Sequence, residues 1–375
     1  MGSIPHSDPP FVEFLRKETW DWAPAAERTE IVGGGFRLCD VLFRTNASGR
    51  GMIKQWVTAA IFVALAETAT AQVARFEVIP ISSVTLSDVD FLAGQKGGQP
   101  VTIAGELRLP RGGTDKLPAA VLLHAGGGMG GTGSAIDGWS RELNQLGIAT
   151  FAIDSLSGRG MVSASTDQMQ FGRLNMAVDA YRALDRLAKH PRIDPNRVAV
   201  IGFSRGAQSA LYSAMNRLYQ TLGPANNLRF AAHIAFYPDC TTSYLNDTDV
   251  SDSPIRILHG TSDNFNPVAA CRAYVERLTS AQKNVKLVEY TGASHYFDAP
   301  AFRTPVILKG APTTRNCHLA EADDHQIINR DTQKPFTYGD ACVERDPTIA
   351  YNESANSQAR TYVRAFLTDV FQLKP

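Results

Sequence analysis

The 375-residue sequence has no excess of charge of either sign, because 37 Lys and Arg residues balance 37 Asp and Glu residues. A protein that binds nucleic acid needs an excess of Lys and Arg, so this balance argues against a nucleic-acid partner. Intrinsic disorder is excluded as well, since 44% of the residues are hydrophobic and such a chain can bury enough apolar surface to fold. Five cysteines are too few for a small domain built on disulfides.

The apolar run at residues 56–66 is too short for a membrane span, which needs about 20 apolar residues. Lys54 precedes this run, and Ala69-Thr70-Ala71 follows it with the small-residue pattern of a cleavage site before Gln72. The layout predicts a secretory signal peptide that is cleaved near Ala71. A buried core helix and an uncleaved anchor are the alternatives.

This signal divides the chain into three parts. Met52 is a possible start, so we expect residues 1–51 to be an upstream extension outside the fold and residues 52–71 to be the signal peptide. The mature domain then comprises residues 72–375. We expect it to be secreted or periplasmic, with no stable membrane insertion.

Export leaves four cysteines in an oxidising compartment, and an even number there indicates two disulfides with three possible pairings. Cys240 and Cys271 follow two consecutive strands, whereas Cys317 and Cys342 share one long segment. These positions favour the pairs Cys240–Cys271 and Cys317–Cys342. Four free buried thiols are the alternative.

Short apolar runs alternate with amphipathic helical patterns in the mature chain. This βαβα order predicts an α/β fold with a mostly parallel central sheet and helices on both faces. No helical pattern separates the first two runs, which favours an antiparallel hairpin at one edge. The strands are expected at residues 75–80, 101–109, 119–124, 149–154, 198–203, 231–237, 255–259 and 285–290.

Two segments depart from the regular alternation. Only residues 239–254 separate two late strands, so no large lid domain is expected there. Residues 300–350 form a long excursion rich in Thr, Asp, Asn and Pro. Connections of this length are unusual in a compact domain, so we expect the excursion either to be functional or to be held in place by the rest of the fold.

The strongest functional motif is G-x-S-x-G at residues 202–206, between a buried strand and a helical run. In this context the motif is a nucleophile elbow, a sharp turn that exposes the serine hydroxyl at the edge of a sheet. The strand and the helix approach closely at Gly202 and Gly206, so neither position has room for a side chain. Ser204 is therefore the predicted nucleophile.

A serine nucleophile needs a general base, and the base needs an acid to orient it. Asp263 and His295 each follow a late strand, so both lie at strand carboxyl ends, where open α/β sheets carry their sites. The order serine, acid, histidine along the chain supports this assignment. Asp239 is the alternative acid, and Asp298 is expected to cap the loop after His295.

Other polar side chains have ordinary structural explanations. We expect buried or surface histidines without a catalytic role at His124, His190, His233 and His259. A solvated loop, rather than a metal site, is expected for His318, Asp323, Asp324 and His325. The sequence thus predicts neither a metal nor a cofactor.

A glycine-rich stretch after the strand at 119–124 resembles the oxyanion loop of the HGGG type. Its glycines let backbone N–H groups approach a substrate carbonyl oxygen. We predict donors among Ala125, Gly126 and Gly127, and a second donor at the amide of Arg205. A phosphate-binding loop is the weaker alternative, because no G-K-[ST] follows.

Taken together, the sequence resembles the dienelactone hydrolase family of α/β-hydrolases. The matching segments are Asp154–Gly160, Arg192–Ser204, His259–Asp263 and Ala293–Asp298. The resemblance implies an α/β-hydrolase fold and the triad of Ser204, Asp263 and His295. It also implies cleavage of small-molecule carboxylic esters through an acyl-enzyme.

Two departures from the family pattern limit this inference. The namesake enzymes use a cysteine nucleophile and are cytosolic, whereas this chain has Ser204 and a predicted signal peptide. A general ester hydrolase is therefore expected rather than a dienelactone hydrolase in the strict sense. An exopeptidase or amidase and a non-catalytic binding protein are the alternatives. Arg159 and Arg205 are candidates for contact with an anionic substrate group, and a salt bridge or a solvated side chain is the alternative for each.

Overall fold

The computed structural model describes Val73 and residues 75–374. The extension predicted at 1–51 and the signal peptide predicted at 52–71 lie outside these described residues. Within them, no helix has both the length and the apolar character that crossing a membrane requires.

Eight strands form one central sheet in the order β1-β2-β4-β3-β5-β6-β8-β9. The first two strands pair antiparallel from Arg75 opposite Leu109 to Thr85 opposite Gln99, and they occupy one edge as predicted. β2 and β4 are also antiparallel, whereas every pair from β4 to β9 is parallel. The strands of this sheet are β1 (Arg75–Thr85), β2 (Gln99–Leu109), β3 (Leu117–Leu123), β4 (Ala149–Asp154), β5 (Ile193–Phe203), β6 (Ala232–Phe236), β8 (Ile255–Gly260) and β9 (Val285–Tyr290).

Helices cover both faces of the sheet, as the strand patterns predict. All seven residues of β3 are buried, and alternate side chains enter opposite cores: Val121 packs in one core and Leu122 in the other. One core contains α3, α4, α5 and α6, and the other contains α2 and α7. The helices are α1 (Asp88–Leu92), α2 (Gly128–Gln145), α3 (Asn175–Ala188), α4 (Arg205–Tyr212), α5 (Asn216–Leu222), α6 (Val268–Ser280) and α7 (Glu353–Val370).

The excursion at 300–350 is an arm of short strands rather than an irregular loop. Its two sides pair through β10 with β16 and β11 with β15, and its outer hairpins extend from β7. Glu321 anchors the arm to the body, because its buried carboxylate accepts two hydrogen bonds from Arg217 and one from the Leu245 amide. The strands are β7 (Thr242–Ser243), β10 (Val306–Ile307), β11 (Pro312–Thr313), β12 (Leu319–Glu321), β13 (Ile327–Asn329), β14 (Lys334–Pro335), β15 (Glu344–Arg345) and β16 (Thr348–Ile349).

Both expected cysteine pairs lie at disulfide distance. Cys240 bonds Cys271 across a sequence separation of 31, and Cys317 bonds Cys342 across 25, each with a Cα–Cα distance of 5.0 Å. The first bridge follows from the parallel pairing of β6 with β8, which brings the segments after these strands together. Loops of this length are stabilised by roughly 3–4 kcal/mol in the chain-entropy account. The second bridge closes the outer part of the arm.

Candidate active site

Ser204 lies on the sharp turn between β5 and α4, with φ 52° and ψ −113°. Positive φ is costly for a residue with a side chain, so the surrounding structure must hold this turn in place. The two flanking glycines make the turn possible. A Cβ on Gly202 would lie 2.1 Å from the Gly206 carbonyl oxygen, and one on Gly206 would lie 2.4 Å from the Leu123 carbonyl oxygen.

Ser204, His295 and Asp263 form one continuous hydrogen-bonded chain. His295 Nε2 is 2.8 Å from Ser204 Oγ, and His295 Nδ1 is 2.7 Å from Asp263 Oδ2. The three residues follow β5, β9 and β8, so they meet at the carboxyl edge of the parallel sheet. The structure thus brings together the three side chains that the sequence singled out for the triad.

The Asp263 carboxylate is buried, and every one of its described contacts favours its charged form. Burial alone raises its pKa, but the interactions with His295, with His259 and with the Asn266 amide outweigh burial and lower the pKa below its ordinary value. Asp263 Oδ1 accepts hydrogen bonds from the amides of Phe265 at 2.8 Å and Asn266 at 2.9 Å. The carboxylate is therefore fixed in position as well as ionised.

Aromatic rings pack against the imidazole of His295, and they were not expected from the sequence. The rings of Tyr237 and Phe265 lie 4.5 Å and 4.9 Å from the His295 ring, between centroids. Asp298 fixes Tyr237 in turn: its buried carboxylate accepts bonds from the Tyr237 hydroxyl at 2.7 Å and Trp139 Nε1 at 2.6 Å. The expectation that Asp298 caps the loop was wrong, because its side chain bridges two distant elements. Burial raises the pKa of Asp298.

The alternative acid, Asp239, has other partners. Its carboxylate accepts hydrogen bonds from Thr241 and Thr314, and His295 is bonded to Asp263 instead. His259 is buried next to the triad, with Nδ1 4.0 Å from Asp263 Oδ2, and burial lowers its pKa.

Two of the four predicted oxyanion residues line the same cavity as Ser204, namely Gly126 and Arg205. Within the described part of the chain, their backbone N–H groups have no acceptor, so both are free to bind a substrate oxygen. Ala125 and Gly127 do not line the cavity, and Gly127 instead precedes the first turn of α2. His124 fixes the start of the glycine-rich loop, because its Nε2 accepts a hydrogen bond from the Ser155 amide.

Arg159 does not reach the cavity, so its assignment as a substrate-binding residue was wrong. Its side chain is 3% exposed and forms a two-bond ion pair with Asp179, with both N–O distances 2.9 Å. The remaining donors bind Thr85 Oγ1 and the carbonyl oxygens of Val84 and Ser155. All five N–H donors of the guanidinium are thereby used inside the fold.

Two other guanidinium groups do line the cavity, those of Arg205 and Arg173. Arg205 donates to the carbonyl oxygens of Phe171 and Gln168, and burial lowers its pKa. Arg173, which the sequence analysis missed, is buried over the rings of Phe336 and Tyr338. Its Nη2 has no hydrogen-bond partner among the described residues. This end of the cavity therefore combines two guanidinium groups with a carboxylate, since Asp239 also lines it and its Oδ2 lies 4.0 Å from Arg173 Nη1.

No group of three or more His, Cys, Asp or Glu side chains is arranged to hold a metal ion in the part of the chain that the structure describes. The polar residues of the arm pair with one another instead. His318 Nδ1 lies 3.1 Å from Asp331, and His325 Nδ1 lies 2.8 Å from Glu321.

The model of the dienelactone hydrolase family matches residues 103–307, more than half of the 375 residues. The chain belongs to the dienelactone hydrolase family. It is therefore a carboxylic ester hydrolase with the α/β-hydrolase fold. No curated protein matches the chain.

The chain is similar to solved structures of a dienelactone hydrolase-like protein and of an esterase, and the first of them shares its fold. A dienelactone hydrolase-like promiscuous phosphotriesterase from metagenomic libraries is 19% identical, with 79% of this chain and 98% of that chain covered and a TM-score of 0.51. An esterase from Thermogutta terrifontis is 17% identical over 72% of this chain and 91% of that one, with a TM-score of 0.46. At 19% identity, the similarity to the phosphotriesterase supports the fold alone.

Proposed function

We propose that this dienelactone hydrolase family member is an exported serine esterase that cleaves carboxylic esters through an acyl-enzyme. Ser204 is the nucleophile, His295 is the general base and acid, and Asp263 orients His295. The hydrogen-bonded chain from Ser204 Oγ through His295 to Asp263 is the observation that carries this proposal. A cysteine nucleophile, as in the namesake enzymes, is replaced here by serine, so a general ester substrate is favoured.

In the first half of the reaction, Ser204 Oγ attacks the carbonyl carbon of the ester while its proton passes to His295 Nε2. The carbonyl oxygen becomes an oxyanion and accepts hydrogen bonds from the amides of Gly126 and Arg205. Each such donor contributes about 2.7–4 kcal/mol in enzymes where it has been removed. Collapse of the intermediate breaks the bond to the alcohol oxygen, which takes the proton from His295 Nε2. The acyl group remains on Ser204.

In the second half, water attacks the acyl carbon and gives a proton to His295 Nε2. The intermediate collapses, the bond to Ser204 Oγ breaks, and the proton returns to that oxygen as the acid leaves. Asp263 stays ionised throughout, in keeping with its lowered pKa, and stabilises the imidazolium that forms twice in each cycle.

Covalent labelling tests the nucleophile directly. A fluorophosphonate probe should modify the native protein at one residue, and peptide mapping should locate the adduct on Ser204. The reaction depends on activation by His295, so a His295→Ala variant and heat-denatured protein should both remain unlabelled. An adduct on another serine, or equal labelling of native and denatured protein, would refute the proposed nucleophile.

Export is part of this proposal and is supported by the layout of residues 52–71 and by the two disulfides. When the full coding sequence is expressed in a bacterial host with a secretion pathway, intact-mass measurement should give a mature chain that begins at or near Gln72. Recovery of residues 1–51 on the exported protein would rule out both the signal peptide and the proposed start at Met52.

A further inference from the structure

The cavity beside Ser204 is small, and a much larger groove lies next to it. The cavity has a volume of about 50 Å³, whereas the groove has a volume of about 820 Å³. Sites that enclose a whole small-molecule ligand usually measure about 300–1,000 Å³. The inner cavity therefore has room for only a small part of an ester, and the remainder must lie elsewhere.

The groove and the cavity are neighbours that share three lining residues, Gln168, Arg173 and Tyr338. Hydrogen-bonded side chains lie at the boundary: the Tyr338 hydroxyl donates to Gln168 Oε1 at 3.0 Å, and Gln168 Nε2 donates to the Pro312 carbonyl oxygen at 3.0 Å. Both Gln168 and Tyr338 are half-buried. Rotation of these two side chains would join the groove to the cavity, so that a substrate can lie across the boundary; rotamer changes of exposed side chains take picoseconds to nanoseconds.

The walls of the groove come from three separate parts of the chain. One wall is the segment from the end of β1 to the start of β2, the second is the β13–β14 part of the arm, and the third is the segment at residues 168–173. The second wall lies beyond residue 307, where the match to the family model ends. Apolar atoms supply the larger part of the exposed surface of the groove, although the carboxylates of Asp88 and Asp90 also line it. The apolar side chains are Leu86, Val89, Met169, Ile327, Pro335, Phe336 and Tyr338.

We propose that this groove is the outer subsite of the ester-binding site and that it holds a bulky, apolar, ring-sized part of the substrate. The inner cavity then holds the small part next to the scissile bond. This inference rests on the proposed function, since it places the scissile carbonyl at Ser204. The occupant is the substrate itself, because the groove shares three lining residues with the cavity that contains the nucleophile. The bulky part is either the acyl group or the alcohol.

Gly97 offers a way to fill the groove without disturbing the fold. It lines the groove, is exposed, and would place a Cβ with no atom within 4 Å, so Gly97→Trp adds an indole to the groove. Gly112 provides a matched control. It is equally exposed, its Cβ position is equally open, and it lies outside both cavities, so Gly112→Trp makes the same change elsewhere.

The test compares kcat/KM for three esters: methyl acetate, 2-naphthyl acetate with a bulky alcohol, and methyl 2-naphthoate with a bulky acyl group. The kcat/KM of each variant is divided by the kcat/KM of the wild type for the same ester, so the intrinsic reactivity of the ester cancels. Gly97→Trp should lower kcat/KM at least tenfold more for one of the bulky esters than for methyl acetate, whereas Gly112→Trp should lower none. The bulky ester that is affected identifies which group occupies the groove.

Binding in a Ser204→Ala background separates this inference from the proposed function. The Kd of the favoured bulky ester should rise at least tenfold when Gly97→Trp is added, and it should not change with Gly112→Trp. That result supports the groove even if Ser204 were not the nucleophile. Equal loss for all three esters, no loss for either bulky ester, or an unchanged Kd would overturn the groove assignment and would leave the labelling result at Ser204 intact.

Discussion

Replacing Ser204 with alanine should lower kcat for ester hydrolysis by at least about 10⁴-fold, as removal of a triad nucleophile does in other serine hydrolases. The physical reason is that Ser204 Oγ supplies both the attacking oxygen and the proton that His295 Nε2 receives at 2.8 Å. The amides of Gly126 and Arg205 are backbone groups and stay in place. The variant should therefore retain only the modest catalysis that oxyanion binding provides. Steady-state and single-turnover kinetics on one ester measure the loss.

The strained turn at Ser204 supplies the control for this substitution. Alanine keeps a Cβ at φ 52°, so Ser204→Ala should leave the free energy of unfolding nearly unchanged. Ser204→Gly removes the hydroxyl and also relieves the positive φ, which costs of order 1–3 kcal/mol for a residue with a side chain. It should be as inactive as the alanine variant and yet more stable to denaturant. If Ser204→Ala keeps a tenth of the wild-type kcat while it is folded, Ser204 is not the nucleophile.

The elbow was predictable because its physical causes lie within a few consecutive residues. A buried strand, two glycines and a helix start are all visible in one short segment, and the close approach at Gly202 and Gly206 explains both glycines. Asp263 and His295 could be placed for a related reason. Parallel strands bring their carboxyl ends to one edge, so residues directly after β8 and β9 must lie near the end of β5.

Side chains whose partners are distant in sequence could not be assigned in this way. Arg159 belongs to a segment that matches the family pattern, but the packing of α3 against the first strands buries it against Asp179. Asp298 meets Trp139, which is 159 residues away. Arg173 enters the cavity only because the arm brings Phe336 and Tyr338 over it. In each case the local pattern shows the residue type, whereas tertiary packing decides its role.

The Asp263→Asn substitution should be nearly as damaging as the loss of Ser204, with kcat lowered by about 10⁴-fold, as for the equivalent change in a serine protease. An asparagine can keep its oxygen toward the amides of Phe265 and Asn266, which both donate to Oδ1 of the aspartate. Its NH₂ group then faces His295 Nδ1. This arrangement forces the imidazole proton onto Nε2. A protonated Nε2 can no longer accept the proton of Ser204 Oγ. The loss of negative charge also removes stabilisation from the imidazolium.

The same change at Asp239 discriminates between the two acids that the sequence left open. Asp239 binds Thr241 and Thr314 rather than the triad histidine, so Asp239→Asn should keep more than a tenth of the wild-type kcat. Thermal unfolding of both variants shows whether each is folded, and kcat is then compared at a pH well above the lowered pKa of Asp263. The tautomer explanation also predicts that Ser204 in Asp263→Asn reacts slowly with the fluorophosphonate probe. A loss of less than tenfold in Asp263→Asn would exclude Asp263 as the acid, and only a much larger loss in Asp239→Asn than in Asp263→Asn would transfer the role to Asp239.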